Sequence, residues 1–395
     1  MRIAVALDAR FYRTPDGKIW GLRGYDFWGV YLRYFEQLKV VARVQNVTQK
    51  KEGWKRSCGS CVEFADVPHF VGVTQYVSRY RAIYRAIEAA ISPSDAVISR
   101  SGNTLDGILF SVLRKRKQAY GVQLVNSPYE LFKKNAYHSL FRPLLNIYFP
   151  YRVKKICRHA SCLTSVSKTV LQQFRPNSDI FCDYFSDVTI PEETLHRDPR
   201  RYKSIPNPLK ILFVGSLALL HKAPDLLIRA VAKCRAEGLN LKLRMVGDGQ
   251  KRGDLERLAK ELAINDDVTF IGHLPGPEAV KDEIESADLF ILPSHTEGLP
   301  RAIIEAMACG LPCIGTSVGG IPELLDSEDL VPSGNVNALA KKIQEVIAIP
   351  ERLTLMSERN LQKARREYRG DVLRKKEEDF YTELKRVTQD SLTTK

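Results

Sequence analysis

The chain has 395 residues, with 60 Lys+Arg, 46 Asp+Glu and 44% hydrophobic residues, an ordinary globular composition long enough for two domains. A single small module, a collagen-like or disordered chain and a disulfide-built scaffold are excluded, because Gly (24) and Pro (20) are near average and eight cysteines are sparse enough to read as reduced thiols. Residues 1–200 carry the whole net charge of +14, with 31 Lys+Arg against 17 Asp+Glu, which suits either general solubility or an anionic partner such as a lipid headgroup surface, a phosphorylated acceptor or nucleic acid.

The opening run MRIAVALDARFY is interrupted by Asp8 and Arg10 and lacks the order of a secretory signal. No stretch of eighteen apolar residues follows, so no span is expected. The expected location is cytoplasmic, with at most a peripheral place on the inner face of the membrane. Short β-rich runs at 2–7, 40–47, 95–99, 120–125 and 161–167 alternate with helical stretches, and the pattern repeats at 209–214, 241–246, 268–271, 288–292 and 312–315. Amphipathic stretches such as 224–236 and 251–263 lie between strands. Alternation of this kind means a parallel sheet covered on both faces, here twice: two doubly wound Rossmann-like α/β domains, expected at 1–190 and 205–372. Four prolines and no apolar period over 191–208 read as the linker. Helical stretches at 351–368 and 372–387 are separated at Gly370, and a final helix over 373–395 could return to the first domain.

Three features of the first half have two readings each. Cys58 and Cys61 have metal or redox spacing, yet no second pair completes a tetrahedral site, and no metal is expected. The stretch 139–156 mixes Leu, Ile, Phe and Tyr with Arg142, Arg152, Lys154 and Lys155, which suits core packing or a helix pair in a lipid interface, broken by Pro143 and Pro150. The run Arg114 to Lys117 is a solvated face or a phosphate contact.

The most specific signal is Glu297-Gly298-Leu299-Pro300-Arg301-Ala302-Ile303-Ile304-Glu305, placed after the apolar strand ADLFILPS and before Gly310. The spacing predicts a strand-to-helix turn with Pro300 in the first helical turn, Glu297 on the loop and Glu305 about one and a half turns in. The amides from Gly298 to Arg301 would face an anion at the sheet edge where α/β proteins bind ligands.

This motif resembles the paired glutamates of the retaining glycosyltransferases of family 4, enzymes of the GT-B fold. The resemblance continues in order through Phe213-Val214-Gly215-Ser216-Leu217, His221-Lys222, Met245-Val246-Gly247-Asp248-Gly249, Phe270-Ile271-Gly272-His273-Leu274 and Gly319-Gly320-Ile321-Pro322-Glu323. It implies two domains facing across a cleft, the second for a nucleoside-diphosphate sugar (UDP- or GDP-linked) and the first for the acceptor. It implies transfer of a sugar to an acceptor hydroxyl with retention and without a metal or other cofactor. By resemblance, Glu297 holds donor-sugar hydroxyls, Glu305 the ribose and Lys222 the diphosphate, while Gly215, Ser216, Gly247, His273, Gly298, Leu299 and Pro300 line the donor site. A carboxylate accepts two hydroxyls at once, and a leaving diphosphate needs cations or N–H donors.

Two departures stand out. The family commonly has arginine where this chain has Ser216, leaving His221, Lys251 or Arg301 to compensate. Many relatives have a histidine where this chain has Asn126-Ser127-Pro128-Tyr129-Glu130, which leaves Tyr129 and Glu130 as acceptor-side candidates, and Gly24 joins them from the loop Gly21-Leu22-Arg23-Gly24-Tyr25, which resembles the family's glycine-containing loop facing the donor diphosphate. The expected acceptor is a saccharide, such as a lipid-linked saccharide of bacterial surface-polysaccharide synthesis, reached at an anionic membrane surface. A catalytically inactive nucleotide-sugar-binding regulator or partner subunit is the alternative. Nucleic acid is not expected as a partner, since no nucleic-acid module and no basic stripe interleaved with aromatics is present.

Overall fold

The computed structural model describes residues 1–101, 104–125, 129, 142–176, 179–188 and 190–393. Residues 1–128, 144–185 and 375–395 belong to one compact unit, and 129–143 with 186–374 to a second.

The first unit contains β1 (Arg2–Arg13), β2 (Ile19–Gly21), β3 (Gln37–Asn46), β4 (Lys55–Arg56), β5 (Val62–Pro68), β6 (Ala96–Ser101), β7 (Gly121–Leu124), β8 (Cys162–Ser165) and β9 (Phe181–Tyr184). Seven strands form a parallel sheet in the order β5-β3-β1-β6-β7-β8-β9, while β2 and β4 add antiparallel to the far end of β1. The run Ile3–Leu7 is apolar at successive positions and wholly buried, as a strand covered on both faces requires. Helices α1 (Gly72–Ser78), α2 (Tyr80–Ala90), α3 (Asp106–Arg116) and α4 (Arg142–Arg158) supply the covers. Helix α2 buries Ile83, Ile87 and Ala90, one face at helical spacing.

Helix α4 corrects one expectation. The prolines do not break it: Pro143 falls in the first turn, where its missing N–H costs nothing, and Pro150 lies inside a continuous helix of 17 residues. Beyond Pro150 the helix buries Val153, Ile156 and Cys157. Burial of such side chains contributes about 1.5–3 kcal/mol each, enough to offset a proline defect of about 3 kcal/mol. Residues 139–141 of that stretch lie outside the described residues.

The second unit contains β10 (Leu209–Val214), β11 (Leu241–Val246), β12 (Val268–Gly272), β13 (Leu289–Leu292), β14 (Cys313–Thr316) and β15 (Leu330–Val331), all parallel in the order β12-β11-β10-β13-β14-β15. Its helices include α5 (Pro224–Ala236), α6 (Arg252–Glu261), α7 (Arg301–Ala308) and α8 (Pro350–Glu367). The stretch 191–208, read from sequence as a free linker, is tied to this unit. The Arg200 guanidinium donates to the carbonyls of Ile284 at 2.9 Å and Cys309 at 3.2 Å, and also to Ala287. A polar anchor of this kind leaves no apolar period to detect.

Helix α9 (Gly370–Thr393) starts at Gly370, so the chain break falls at Tyr368 and Arg369. From residue 375 it belongs to the first unit. Phe380 meets Phe181 and Phe185, and Tyr381 meets Tyr31, Tyr34 and Phe35.

Candidate functional site

In the second sheet β10 and β13 are neighbours from which the strand order departs in opposite directions. Loops leaving their carboxyl ends diverge there, and α/β sheets bind ligands in the resulting crevice. The loop after β10 ends in a short 3-10 turn, Leu220–Lys222, directly ahead of α5, whereas the loop after β13 opens α7. The His295 N–H donates to the His221 carbonyl at 2.7 Å and holds the two loops together.

Lys222 and Glu297 meet at this point. Lys222 Nζ lies 2.7 Å from Glu297 Oε1, and the Ser294 hydroxyl donates to the same oxygen at 2.8 Å. Among the described residues no donor reaches Oε2, so one carboxylate oxygen remains open to a ligand. The pair is 18% and 10% exposed, a setting in which a charge contact is screened less than at the surface.

Close packing fixes the backbone beneath it. A Cβ on Gly215 would stand 2.4 Å from Lys222 Cδ, so a larger residue there would displace the lysine stem. Gly319 has φ +54°, and a Cβ on it would lie 2.0 Å from the Glu297 carbonyl oxygen. The Gly320 N–H donates to the Gly298 carbonyl at 2.6 Å. Ser294 is fully buried, and its carbonyl accepts the Thr316 hydroxyl at 2.7 Å and the Ser333 hydroxyl at 3.1 Å. His295 Nδ1 lies 3.2 Å from Ser333 Oγ. Ser294, Ser333 and Thr316 were not singled out from sequence. Single hydroxyls on buried strands and loops carry no pattern, although Ser294 lay within the quoted strand motif.

Helix α7 begins at Arg301, one residue later than expected. Pro300 is its cap, with an extended ψ of 110° and a carbonyl that accepts the Ile303 N–H at 3.2 Å. The N-cap keeps non-helical backbone while giving its carbonyl to the first turn. Gly298 and Leu299 precede it on the loop. Glu305 sits on α7 with Arg301 Nη2 3.6 Å from its carboxylate. Burial pushes the Glu305 carboxyl up, and Arg301 opposes that shift.

The remaining candidates are less closely gathered. Gly247 follows β11, and its N–H donates to Gly272 at 2.8 Å. Ser216 is exposed and accepts the Ala218 N–H at 3.2 Å. His273 is exposed just beyond β12. Of the cations considered in place of the missing arginine, Lys251 is engaged by Asp254 at 3.0 Å. Burial and Lys222 lower the pKa of His221, and Arg301 is 62% exposed.

In the first unit Gly24 precedes the 3-10 turn Tyr25–Trp28 with ordinary extended backbone, and a Cβ on it would stand 3.3 Å from Lys55. Tyr129, expected within the first domain, falls in the second unit and is 39% exposed, whereas Glu130 and residues 126–128 lie outside the described residues. Cys58 and Cys61 are free thiols. Arg116, at the end of α3, donates to the carbonyls of Ile91 at 2.6 Å and Glu88 at 2.8 Å, a structural use for one member of the basic run.

Residues 196–363 match the family Glycosyl transferases group 1. Protein CapJ of Staphylococcus aureus is 27% identical over 320 residues, covering 81% of this chain and 80% of its own. The putative colanic acid biosynthesis glycosyltransferase WcaL of Escherichia coli K12 is 31% identical over 187 residues, 42% of this chain and 46% of its own. The crystal structure of Anabaena Alr3699/HepE in complex with UDP and glucose aligns over 100% of both chains with TM-score 0.62 at 13% identity, a likeness of fold. Taken with two parallel Rossmann-like sheets, these matches show a Glycosyl transferases group 1 domain over residues 196–363 in a chain of the GT-B fold.

Proposed function

We propose that this glycosyltransferase moves a sugar from a UDP- or GDP-linked donor to an acceptor hydroxyl with retention at the anomeric carbon, in bacterial cell-surface polysaccharide synthesis. The observation that carries the reading is the Lys222–Glu297 contact at the switch point of the second sheet, with one carboxylate oxygen uncommitted. The names of WcaL and of the HepE complex with UDP and glucose support the polysaccharide setting and the donor class.

In this reading Glu297 accepts donor-sugar hydroxyls through Oε2, held in place by Ser294. Glu305, on α7, accepts the ribose hydroxyls. Lys222 and the α7 amides meet the diphosphate, whose charge grows as the glycosidic bond breaks, so stabilisation increases toward the transition state. Arg301 takes over the cationic role that Ser216 lacks. On the face where the diphosphate departs, its oxygen receives the acceptor proton and the new bond forms on the same side. Positive charge comes from the chain itself, and the mechanism calls for no resident metal.

The acceptor is a lipid-linked saccharide bound by the first unit, where the excess of positive charge resides. Gly24, in the first unit, and Tyr129, in the second, are acceptor-side candidates. Glu130, outside the described residues, is proposed beside them from sequence. A non-catalytic regulator remains the second reading because Ser216 stands where the family commonly has arginine. Proton NMR of the product formed from an α-linked donor decides between them. An α-linked product that Glu297→Gln abolishes, with folding intact, supports retaining transfer, while a β-linked product contradicts retention. Donor binding without transfer or hydrolysis supports the regulator.

A further inference from the structure

The first sheet has a switch point of its own. β1 lies between β3, which leads to β5, and β6, which leads to β9. Its carboxyl edge gathers arginines. Arg10 of β1 stands in register beside Arg43 of β3, an arrangement of like charges that costs stability unless an anion is shared. Arg43 is 7% exposed, donates to the Phe70 carbonyl at 2.9 Å and lies 4.6 Å from the Phe70 ring centre. Arg79, between α1 and α2, donates to the His69 carbonyl. Asp8 pairs with Arg43 and also accepts the Thr104 N–H at 3.3 Å and hydroxyl at 3.2 Å. Arg10 has no ion pair among the described residues. Burial and these three arginines together lower the pKa of His69. One committed carboxylate thus faces three guanidiniums.

The same edge continues into an apolar surface. The Tyr76 ring lies 5.3 Å from Phe70 and 6.1 Å from Tyr80, and its hydroxyl feels Arg152 and Tyr148 of α4. On α4, Leu144, Ile147, Tyr148 and Tyr151 follow i, i+3, i+4, i+7 spacing and are each more than half exposed. Helices α1, α2 and α4 contain one carboxylate, Glu88, against exposed Arg81, Arg85, Lys154, Lys155 and Arg158. An exposed apolar stripe among cations fits the headgroup region of an anionic bilayer.

We infer that Arg10, Arg43 and Arg79 form a phosphate site for the acceptor, and that this phosphate is carried on a lipid whose chain runs along the α1–α4 face. The inference rests on the first unit's taking the acceptor. Guanidinium forks match phosphate oxygens in pairs, and the anionic group answers the surplus of positive charge at this edge.

Calorimetric titration with decyl phosphate below its micellar concentration and with methyl phosphate tests the site, with UDP and GDP in excess to occupy the Lys222 region. Decyl phosphate is expected to bind about tenfold or more tightly than methyl phosphate, a gain of the size that buried methylenes supply. Arg10→Ala with Arg79→Ala, both at exposed positions, is expected to weaken both ligands about tenfold, and Arg10→Lys with Arg79→Lys to restore part of that loss. Ile147→Ser with Tyr151→Ser is expected to weaken decyl phosphate alone. No saturable binding of either phosphate, or unchanged affinity in the double alanine variant with its melting temperature retained, overturns the site. Equal affinity for the two ligands overturns the lipid assignment. Failure of UDP and GDP to bind contradicts the proposed donor chemistry and leaves the phosphate titration as a separate reading.

Discussion

At the scale of single residues, the site depends on how two glutamates are held. Glu297 was legible because its pairing with Glu305 stands in one ordered series with the glycine motifs at Gly215, Gly247, Gly272 and Gly319, whereas the spacing of the two glutamates alone fits a core helix equally well. Ser294 was not, since a lone buried hydroxyl gives no periodic signal and its value appears only when its 2.8 Å bond to Glu297 is seen. Glu305 carries a pH prediction. Its pKa is raised from the ordinary value of 4.5 by burial, so the ionised form, proposed to accept ribose hydroxyls, is complete above that raised value and lost as pH falls through it. Nucleotide affinity is therefore expected to decline on acidification while ordinary carboxylates are still ionised. Glu305→Gln is expected to flatten this decline and to weaken binding about tenfold, the loss of one charge-assisted hydrogen bond. Calorimetry between pH 4.5 and 8, limits of about the range in which carboxyl and imidazole groups titrate, checks both.

At the scale of elements, glycine and buried charge set the tolerances. Gly319→Ala places an L side chain at φ +54° and a Cβ 2.0 Å from the Glu297 carbonyl. The left-handed backbone alone costs about 1–2 kcal/mol, and displacement of the loop adds to it. The variant is expected to be less stable in urea and to lose more activity than that destabilisation explains, because Glu297 moves. Far from the site, fully buried Asp329 beside β15 pairs with Arg352 and Arg359 of α8. Asp329→Ala removes one partner of two guanidiniums that keep Glu328, and for Arg359 also Asp326, and is expected to cost about 1–3 kcal/mol, read as an earlier urea transition. The strand and helix pattern was legible because apolar periodicity reflects burial. Helix α4 was misjudged because propensity counts Pro150 but not the core contacts beyond it, and the anchor at Arg200 was missed because hydrogen bonds to carbonyls are not written in the sequence.

At the scale of the whole molecule, charge is divided as the work is proposed to be divided: the basic half meets the acceptor, and the balanced half meets the donor. No helix among the described residues is long and apolar enough to cross a membrane. The attachment inferred for the α4 face, resting on exposed apolar side chains among cations, is expected to be reversible and salt-sensitive. Flotation with anionic liposomes is expected to carry the protein upward at low salt and to release it at about 1 M salt, where the screening length is about 3 Å. Ile147→Glu with Tyr151→Glu is expected to abolish flotation. Flotation unaffected by the substitutions contradicts the assignment of that face.

Titration of UDP- and GDP-sugars into the wild type, Lys222→Ala and Glu297→Gln shows whether Lys222 and Glu297 grip an activated sugar. The account predicts that at least one sugar nucleotide binds, that Lys222→Ala weakens the bare nucleoside diphosphate as well, and that Glu297→Gln removes the preference for the sugar-bearing form. Unchanged affinities in both folded variants would contradict it.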